Sequence, residues 1–168
     1  MNVFYLDRNP KIAAQMHCDK HVVKMVLEYA QILSTAHRVI DGHGAADREG
    51  LYQIAHKNHP STAWARSSRG NYNWLSDLWG YLGDEYTHRY GKIHASQALI
   101  EWCADNMPDI PDKPMTKMPQ CMPDEFKQEC SVSAYRHFYN VDKRSSFKCV
   151  WTDREEPLWW KEHTCLGA

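Results

Sequence analysis

The sequence predicts a single, mainly α-helical domain over residues 1–168, with a short extended segment at the N-terminus and a long proline-rich loop. Three observations indicate this fold. Two long segments keep apolar residues at the 3.6-residue spacing of an amphipathic helix. Five of the eight prolines fall between residues 105 and 131, which is typical of a long loop wrapped over a domain. A chain of 168 residues, 43% of them hydrophobic, suits one domain with one core.

The first half of the chain predicts an extended start and two long helices. The apolar stretch NVFYLD is followed by the turn residues DRNP, and a helix is predicted from Pro10 to about Ile40, where DGHG ends it. Residues 48–58 predict a short helix. The second long helix is predicted to start at His59 and Pro60, because proline suits the first turn of a helix.

The second half of the chain predicts two further helices around the proline-rich loop. IHASQALIEWCADN, residues 93–106, has the pattern of a third helix, and SVSAYRHFYNVDKRSSF, residues 131–147, has that of a fourth. The loop of residues 105–131 separates them. The final PLWW, residues 157–160, is expected to anchor the chain end through its aromatic rings.

Charge and cysteine content limit the function classes. A net charge of −1 and a pI ≈ 6.8 argue against a protein that coats long DNA, so any nucleic-acid contact is expected to be short and local. Six scattered cysteines without a CxxC motif indicate free thiols in a reducing cytoplasm. The N-terminus lacks the apolar core of a signal peptide, and no apolar run approaches the ~20 residues of a membrane span.

The stretch HCDKHVVKMVLEYAQ, residues 17–31, concentrates titratable side chains at the start of the first long helix. At about 100° per residue, one set of polar side chains shares a helix face opposite the apolar residues. That set is His17, His21, Lys24, Glu28, Gln31 and Thr35, with Asp19 and Lys20 in the same short stretch. The sequence therefore predicts that this face is a polar cleft wall.

Three interpretations of this polar face remain open. His17 and His21 are spaced H-x₃-H, one helical turn apart, and such a pair can bind a metal ion, with His56 and His59 as further ligands. The neighbouring lysines would repel a cation, and cationic histidine and lysine suit phosphate oxygens instead. A plain solvated surface is the third interpretation. The prediction adopted is a phosphate-binding wall, with no bound metal and no cofactor.

Other polar residues extend the predicted substrate-binding surface. Arginine can hold phosphate with two hydrogen bonds, and aromatic rings can stack on a base. On the second helix these residue types lie close together in sequence, and in the fourth helix two cations are spaced two turns apart. The predicted substrate-binding set is His17, His21, Lys24, His59, Arg66, Asn71, Arg136 and Lys143. Core packing or simple solvation is the alternative for the residues of both helices.

Five stretches, spread over nearly the whole chain, resemble a family of uncharacterised bacteriophage proteins. They are FYLDRNPKIAAQMHCDKHVVKM, NHPSTAWARSS, EYTHRYGK, MPDEFK and YRHFYN…W…REEPLWW. The layout is also distantly similar to that of the pyrimidine dimer DNA glycosylases of the endonuclease V type. The shared features are a short extended start, a polar first helix, a helix preceded by His-Pro, and an aromatic C-terminus.

This similarity implies a base-excision enzyme acting on a nucleotide within DNA. In that family the N-terminal amine attacks the sugar C1′ and forms a Schiff base, while an acid on the first helix assists. Carried to this sequence, it gives Met1 or Lys20 as nucleophile and Asp19 or Glu28 as acid/base. The Arg-Glu pair of that family's first helix has no counterpart here, and these two carboxylates are the nearest substitutes.

Two alternatives from other classes accompany this expectation. One is a metal-dependent enzyme that acts on free nucleotides through His17 and His21. The other is a non-enzymatic phage protein that binds a nucleotide or a host protein. In the adopted interpretation the partner is DNA or a nucleotide, the location is the host-cell cytoplasm, and the oligomeric state is left open.

Overall fold

The computed structural model describes the backbone of residues 1–165 and the side chains of residues 1–162, so the last three positions of the predicted domain lie outside it. The chain is mainly α-helical, as predicted. The helices are α1 (Pro10–Met16), α2 (Asp19–Ile40), α3 (His43–Arg48), α4 (Pro60–Ala65), α5 (Arg69–Tyr90), α6 (Ile100–Asp105), α7 (Ser131–Phe138), α8 (Arg144–Ser146) and α9 (Leu158–Cys165). Within the described residues the backbone forms no β-strand.

The predicted helix from Pro10 to Ile40 is two helices, because the backbone of His17 and Cys18 is extended. The prediction missed this break, since the sequence there has no glycine or proline. A buried arginine of α5 makes the break possible. Arg89 donates hydrogen bonds to the carbonyl oxygens of Gln15 (3.0 Å) and His17 (2.8 Å), which satisfies backbone acceptors at the helix end.

The second predicted long helix is also divided, and the short helix predicted at residues 48–58 is wrong. Helix α4 ends at Ala65, and α5 begins after Ser68. The Ser68 hydroxyl caps α5 by accepting a hydrogen bond from the backbone amide of Asn71. Residues 51–58 are not helical, and α3 lies before them. Gly91 ends α5 in the left-handed conformation with φ +62°, a common helix terminator.

The remaining elements follow the predictions with local changes. The third predicted helix begins as a 3₁₀ turn (Ala95–Leu99) before α6, and the proline-rich loop contains one 3₁₀ turn (Asp124–Phe126). The fourth predicted helix is α7 and α8 joined by a π-helical segment (Tyr139–Lys143). Single-turn π-helical insertions often lie at functional sites, and this one faces the start of α2.

The core forms where α2 packs against α5 and the N-terminal segment lies between them and α7. Its largest fully buried side chains include Trp79 of α5, Tyr29 of α2 and Tyr139 of the π-helical segment. Val3 and Leu6 of the N-terminal segment have no exposed surface, so the extended start is part of the core. No helix in the described part of the chain has the length and apolar character to cross a membrane.

Candidate active site at the amino terminus and the polar face of α2

The first four residues are held in place by side-chain hydrogen bonds. The Asn2 amide donates to the Cys121 carbonyl oxygen at 2.9 Å, and the Tyr135 hydroxyl donates to Asn2 Oδ1 at 2.9 Å. The Phe4 backbone amide donates to the Tyr29 hydroxyl at 3.2 Å. Because Tyr29 lies on α2, the Phe4 bond holds the N-terminal segment against that helix, and the Met1 Sδ accepts a hydrogen bond from the Thr62 hydroxyl at 3.5 Å.

A second segment, residues 51–56, is bound along α2 and brings a histidine to the same region. The Tyr52 amide donates to Ser34 Oγ at 3.2 Å, and the Ala55 amide donates to Thr35 Oγ1 at 3.0 Å. His56 follows directly with φ +47°, a left-handed conformation that non-glycine residues seldom adopt. The resulting turn leads into α4, and the His59 amide closes it by donating to the His56 carbonyl oxygen at 2.9 Å.

His59 lies at the point where these segments meet. Partial burial lowers its pKa, the positive charges of the Met1 amino group and His56 lower it further, and Glu28 opposes them. The Met1 amino group, His56 and Glu28 therefore each lie within electrostatic reach of His59. His59 Nδ1 accepts a hydrogen bond from the Ser61 amide at 3.2 Å, so the neutral ring carries its proton on Nε2. A neutral histidine with a defined donor atom suits a proton-transfer site.

Glu28 is the carboxylate of this cluster, which we call the amine site: Met1 α-amine, Glu28, His56 and His59. The Glu28 side chain is only 14% exposed, and its Oε1 lies 3.2 Å from Lys24 Nζ, whose side chain is 66% exposed. Lys24 thus joins the amine site to the N-terminal turn of α2. A shielded carboxylate near an amine and an imidazole can accept and return protons.

The N-terminal turn of α2 surrounds a buried histidine with lysines. His21 is 4% exposed, and its ring stacks on Phe4 at 4.3 Å. Its Nδ1 is hydrogen-bonded to the Tyr139 hydroxyl. Burial lowers the pKa of His21 to about 2, and the positive charges of Lys143, Lys24 and Lys20 act in the same direction, as His17 does when it is protonated. His21 is therefore neutral, and the three lysines form a positive surface that we call the lysine cluster.

His17 is a core residue rather than part of an exposed wall. It has no exposed surface, its Nδ1 lies 2.7 Å from the Ala13 carbonyl oxygen, and its Nε2 lies 2.8 Å from the Tyr29 hydroxyl. Burial lowers its pKa to about 4. Because both ring nitrogens are hydrogen-bonded, the H-x₃-H pair is not arranged to bind a metal. The described residues contain no group of three or more His, Cys, Asp or Glu placed to hold a metal ion.

Asp19 has a structural environment. Its Oδ1 accepts from Arg89 Nη1 at 3.0 Å and from the Thr152 amide at 3.0 Å, and its Oδ2 accepts from the Thr152 hydroxyl at 2.6 Å. The fully buried Arg89 side chain also pairs with Glu85 at 3.1 Å. Asp19 thus connects α2, α5 and the C-terminal segment, and these bonds leave its carboxylate little capacity to act as an acid or base.

Two other predicted binding residues are also engaged in packing. Asn71 is buried, and its amide donates to the Trp64 carbonyl oxygen at 2.8 Å, while its Oδ1 accepts from the Thr116 amide at 2.8 Å. Arg136 donates to the Leu6 carbonyl oxygen at 2.8 Å and pairs with Asp7 at 3.0 Å. The bond between Thr116 and Asn71 joins the proline-rich loop to α5. The bonds of Arg136 to Leu6 and Asp7 hold the N-terminal segment against α7.

Lys143 and Arg66 keep features of a binding residue. Lys143 contributes to the lysine cluster, although its Nζ is also 2.9 Å from Asp142 and 4.5 Å from the Phe138 ring centre. Arg66 is the C-cap residue that follows α4, and its Nη1 is shielded from solvent without a hydrogen-bond partner among the described residues. Burial lowers the pKa of Arg66. Helix α4 separates Arg66 from His59 by roughly 10 Å along its axis.

The structure thus places Met1 and Glu28 within electrostatic reach of His59, and Lys20, Lys24 and Lys143 within electrostatic reach of His21. Sequence reasoning considered His56 only as a metal ligand and missed Arg89 altogether. The signal for Arg89 was present, since Glu85 and Arg89 are an i,i+4 pair on a predicted helix. Nothing in the sequence indicated that this pair is buried.

Comparisons of the chain with protein-family models, curated proteins and solved structures gave no match.

Proposed function

We propose that this protein is a DNA base-excision enzyme that uses the Met1 α-amine as nucleophile. The observation that carries the proposal is the amine site itself. The Met1 α-amine and the Glu28 carboxylate both act electrostatically on a half-buried imidazole, His59, and Glu28 is largely shielded from solvent. An amine nucleophile with a neighbouring proton acceptor is the arrangement required for Schiff-base chemistry. The similarity in layout to the pyrimidine dimer glycosylases supports the same chemistry.

In the proposed reaction the unprotonated amine attacks C1′ of a deoxyribose, and the bond from C1′ to the base breaks. The base leaves as an anion that takes its proton from water, and the neutral His59 ring would donate a hydrogen bond to it from Nε2. Glu28 accepts a proton from the attacking nitrogen and passes it to O4′ as the sugar ring opens, which gives the protonated Schiff base and returns Glu28 to its carboxylate form. Loss of a C2′ proton to Glu28 then expels the 3′ phosphate, and water hydrolyses the Schiff base to release the amine.

The lysine cluster supplies the proposed phosphate contacts. Lys24 is largely exposed and links the cluster to Glu28, and Lys20 lies with its Nζ 4.6 Å from the Phe147 ring centre. A few cations on one face suit a short stretch of backbone phosphates, which agrees with the near-neutral charge of the whole chain. Lys20 is also a primary amine, so it is the second candidate for the nucleophile.

Borohydride trapping tests the proposal. Protein carrying any tag at its C-terminus is mixed with a duplex oligonucleotide containing one abasic site, and sodium borohydride reduces a Schiff base to a stable adduct. We expect an adduct whose peptide map places the DNA on Met1. Extension of the N-terminus by two residues should abolish the adduct. Glu28→Gln should slow its formation by roughly 100-fold or more, within the range of general acid–base effects.

Lys20→Gln is the matched control, because it removes the competing amine and leaves the amine site unchanged. If it abolishes the adduct while the extended protein still forms one, Lys20 is the nucleophile. If wild-type protein forms no adduct on abasic or dimer-containing DNA, the lyase proposal is rejected. Salt-dependent DNA binding without an adduct would indicate the non-enzymatic alternative.

A further inference from the structure

Two cysteines that are distant in sequence meet at the N-terminus of α2. Cys18 precedes the helix, and Cys149 lies in the C-terminal segment that crosses it. The Asp19 backbone amide donates a hydrogen bond to the Val150 carbonyl oxygen at 2.8 Å. Asp19 follows Cys18 and Val150 follows Cys149, so this bond holds the two cysteine-bearing segments together. The side chains of Cys18 and Cys149 are close enough for each thiol to shift the pKa of the other. The pair therefore combines hydrogen-bonded backbones with interacting thiols.

The surroundings of the pair distinguish the two sulfurs. Cys18 has no exposed surface, and the Tyr139 hydroxyl lies 3.9 Å from its Sγ as a donor. The hydrogen bond from Cys149 lowers the pKa of Cys18 to about 7, although burial opposes it. The same hydrogen bond raises the pKa of Cys149. Cys149 is partly exposed, so the pair has one member with thiolate character and one that a reagent can reach.

The other described cysteines lack this arrangement. Cys103 is buried, and burial raises the pKa of its thiol to about 12, which makes it unreactive. Cys121 Sγ lies 3.2 Å from the Ser61 hydroxyl. Cys130 is exposed at the start of α7. Among the described thiols, therefore, intramolecular oxidation is expected at Cys18 and Cys149.

We propose that Cys18 and Cys149 form an intramolecular disulfide when the protein meets a small-molecule disulfide such as oxidised glutathione. Cys149 passes its proton to Cys18 and attacks one sulfur of the reagent, whose S–S bond breaks to release one thiolate. That thiolate takes the proton from Cys18. Cys18 then attacks the Cys149 sulfur and expels the second thiolate. Two electrons pass from the cysteine pair to the reagent, which leaves as two thiol equivalents.

The proposed disulfide would restrain Phe147, which lies beside the lysine cluster. Phe147 lies two residues before Cys149, and its ring centre is 4.6 Å from Lys20 Nζ and 5.4 Å from the His21 ring centre. A disulfide would tie this segment to α2 and hold Phe147 over Lys20. Oxidation is thus a modification that fixes the C-terminal segment in its present place, and it does not depend on the proposed glycosylase activity.

Mass spectrometry of the full chain tests the proposal. Protein is incubated with oxidised glutathione, quenched in acid, unfolded, alkylated and digested without reductant. We expect a linked peptide pair containing Cys18 and Cys149 that disappears on reduction. Cys130→Ser should leave the link unchanged, whereas Cys149→Ser should abolish it. The linked protein should also melt roughly 5–10 °C above the reduced protein, because the bond closes a long loop.

Three results would overturn the proposal. They are glutathione retained on Cys149, alkylation of both cysteines in the oxidised sample, or a link that joins Cys18 to another cysteine. If Cys149→Ser does not fold, the wild-type peptide map and the reversible melting shift still decide between these outcomes.

Discussion

Asp19 and Glu28 are both carboxylates near the polar face of α2, yet their surroundings give them different roles. Asp19 accepts three hydrogen bonds from Arg89 and Thr152, which leaves little capacity for a substrate. Glu28 has one ion-pair partner, Lys24, and lies in reach of the His59 ring. The sequence shows only that both are acidic. Asp19 is engaged because Arg89 of α5 and Thr152 of the C-terminal segment donate hydrogen bonds to it. Both residues are far from Asp19 in sequence, so the spacing of residues along α2 does not predict these contacts.

Replacing the two carboxylates should separate stability from activity. Asp19→Ala should lower the free energy of unfolding by roughly 2–4 kcal/mol, because it leaves a fully buried arginine without one of its charged partners. Glu28→Gln should change it by less than about 1 kcal/mol, since its partner Lys24 is mostly exposed. Urea unfolding of the two variants measures both values. Equal losses, or a larger loss for Glu28→Gln, would contradict this division of roles.

At the level of elements, the sequence predicted where helices lie better than where they break. Amphipathic spacing identified most of α2 and α5, and proline content identified the loop. The interruptions at residues 17–18 and 66–68 were missed because distant groups stabilise them. Arg89 binds the carbonyl groups at the first. At the second, the Arg69 and Gly70 amides donate to the carbonyl oxygens of Pro111 (2.9 Å) and Lys113 (3.1 Å) of the proline-rich loop.

Gly70 provides a test of this contact between the proline-rich loop and α5. A Cβ atom at Gly70 would lie 2.2 Å from the Met115 backbone nitrogen, so Gly70→Ala must displace the loop. We expect a loss of roughly 1–3 kcal/mol in the free energy of unfolding from overpacking, although alanine is the better helix former. Gly80→Ala is the control in the same helix, because its Cβ would meet only Ile100 Cγ2 at 3.8 Å. Thermal unfolding compares them, and equal effects would contradict the assigned contact.

Over the whole molecule, the sequence predicted the fold class but only part of the candidate site. It identified α2 as the carrier of polar chemistry and gave Met1, Glu28 and His59 as candidates. It also treated His17 and His21 as exposed, because helical periodicity places them beside Lys24. The N-terminal segment and the π-helical segment cover that face, so both histidines are buried. Burial by non-adjacent segments is a tertiary property, and periodicity within a single helix does not contain it.

Burial of three histidines predicts that the protein loses stability in mild acid. Their folded-state pKa values are about 4 for His17, about 2 for His21 and about 4 for His37, and burial is the main cause of each. The unfolded chain, with histidine pKa near 6.5, binds protons first as pH falls. Stability is therefore complete above about pH 7 and falls below pH 6.5, by roughly 2 kcal/mol for each histidine at pH 5.

Urea unfolding at pH 7.5 and pH 5 measures this loss, which begins above the range where carboxylates titrate. His17→Gln removes one titrating ring, so the slope of unfolding free energy against pH between 5 and 6 should fall by about one third. The variant is expected to be less stable than the wild type at pH 7.5, since its hydrogen bonds to Ala13 and Tyr29 are altered, but also less sensitive to acid. A wild-type urea midpoint that is unchanged at pH 5 would show that these histidines are not held neutral by burial.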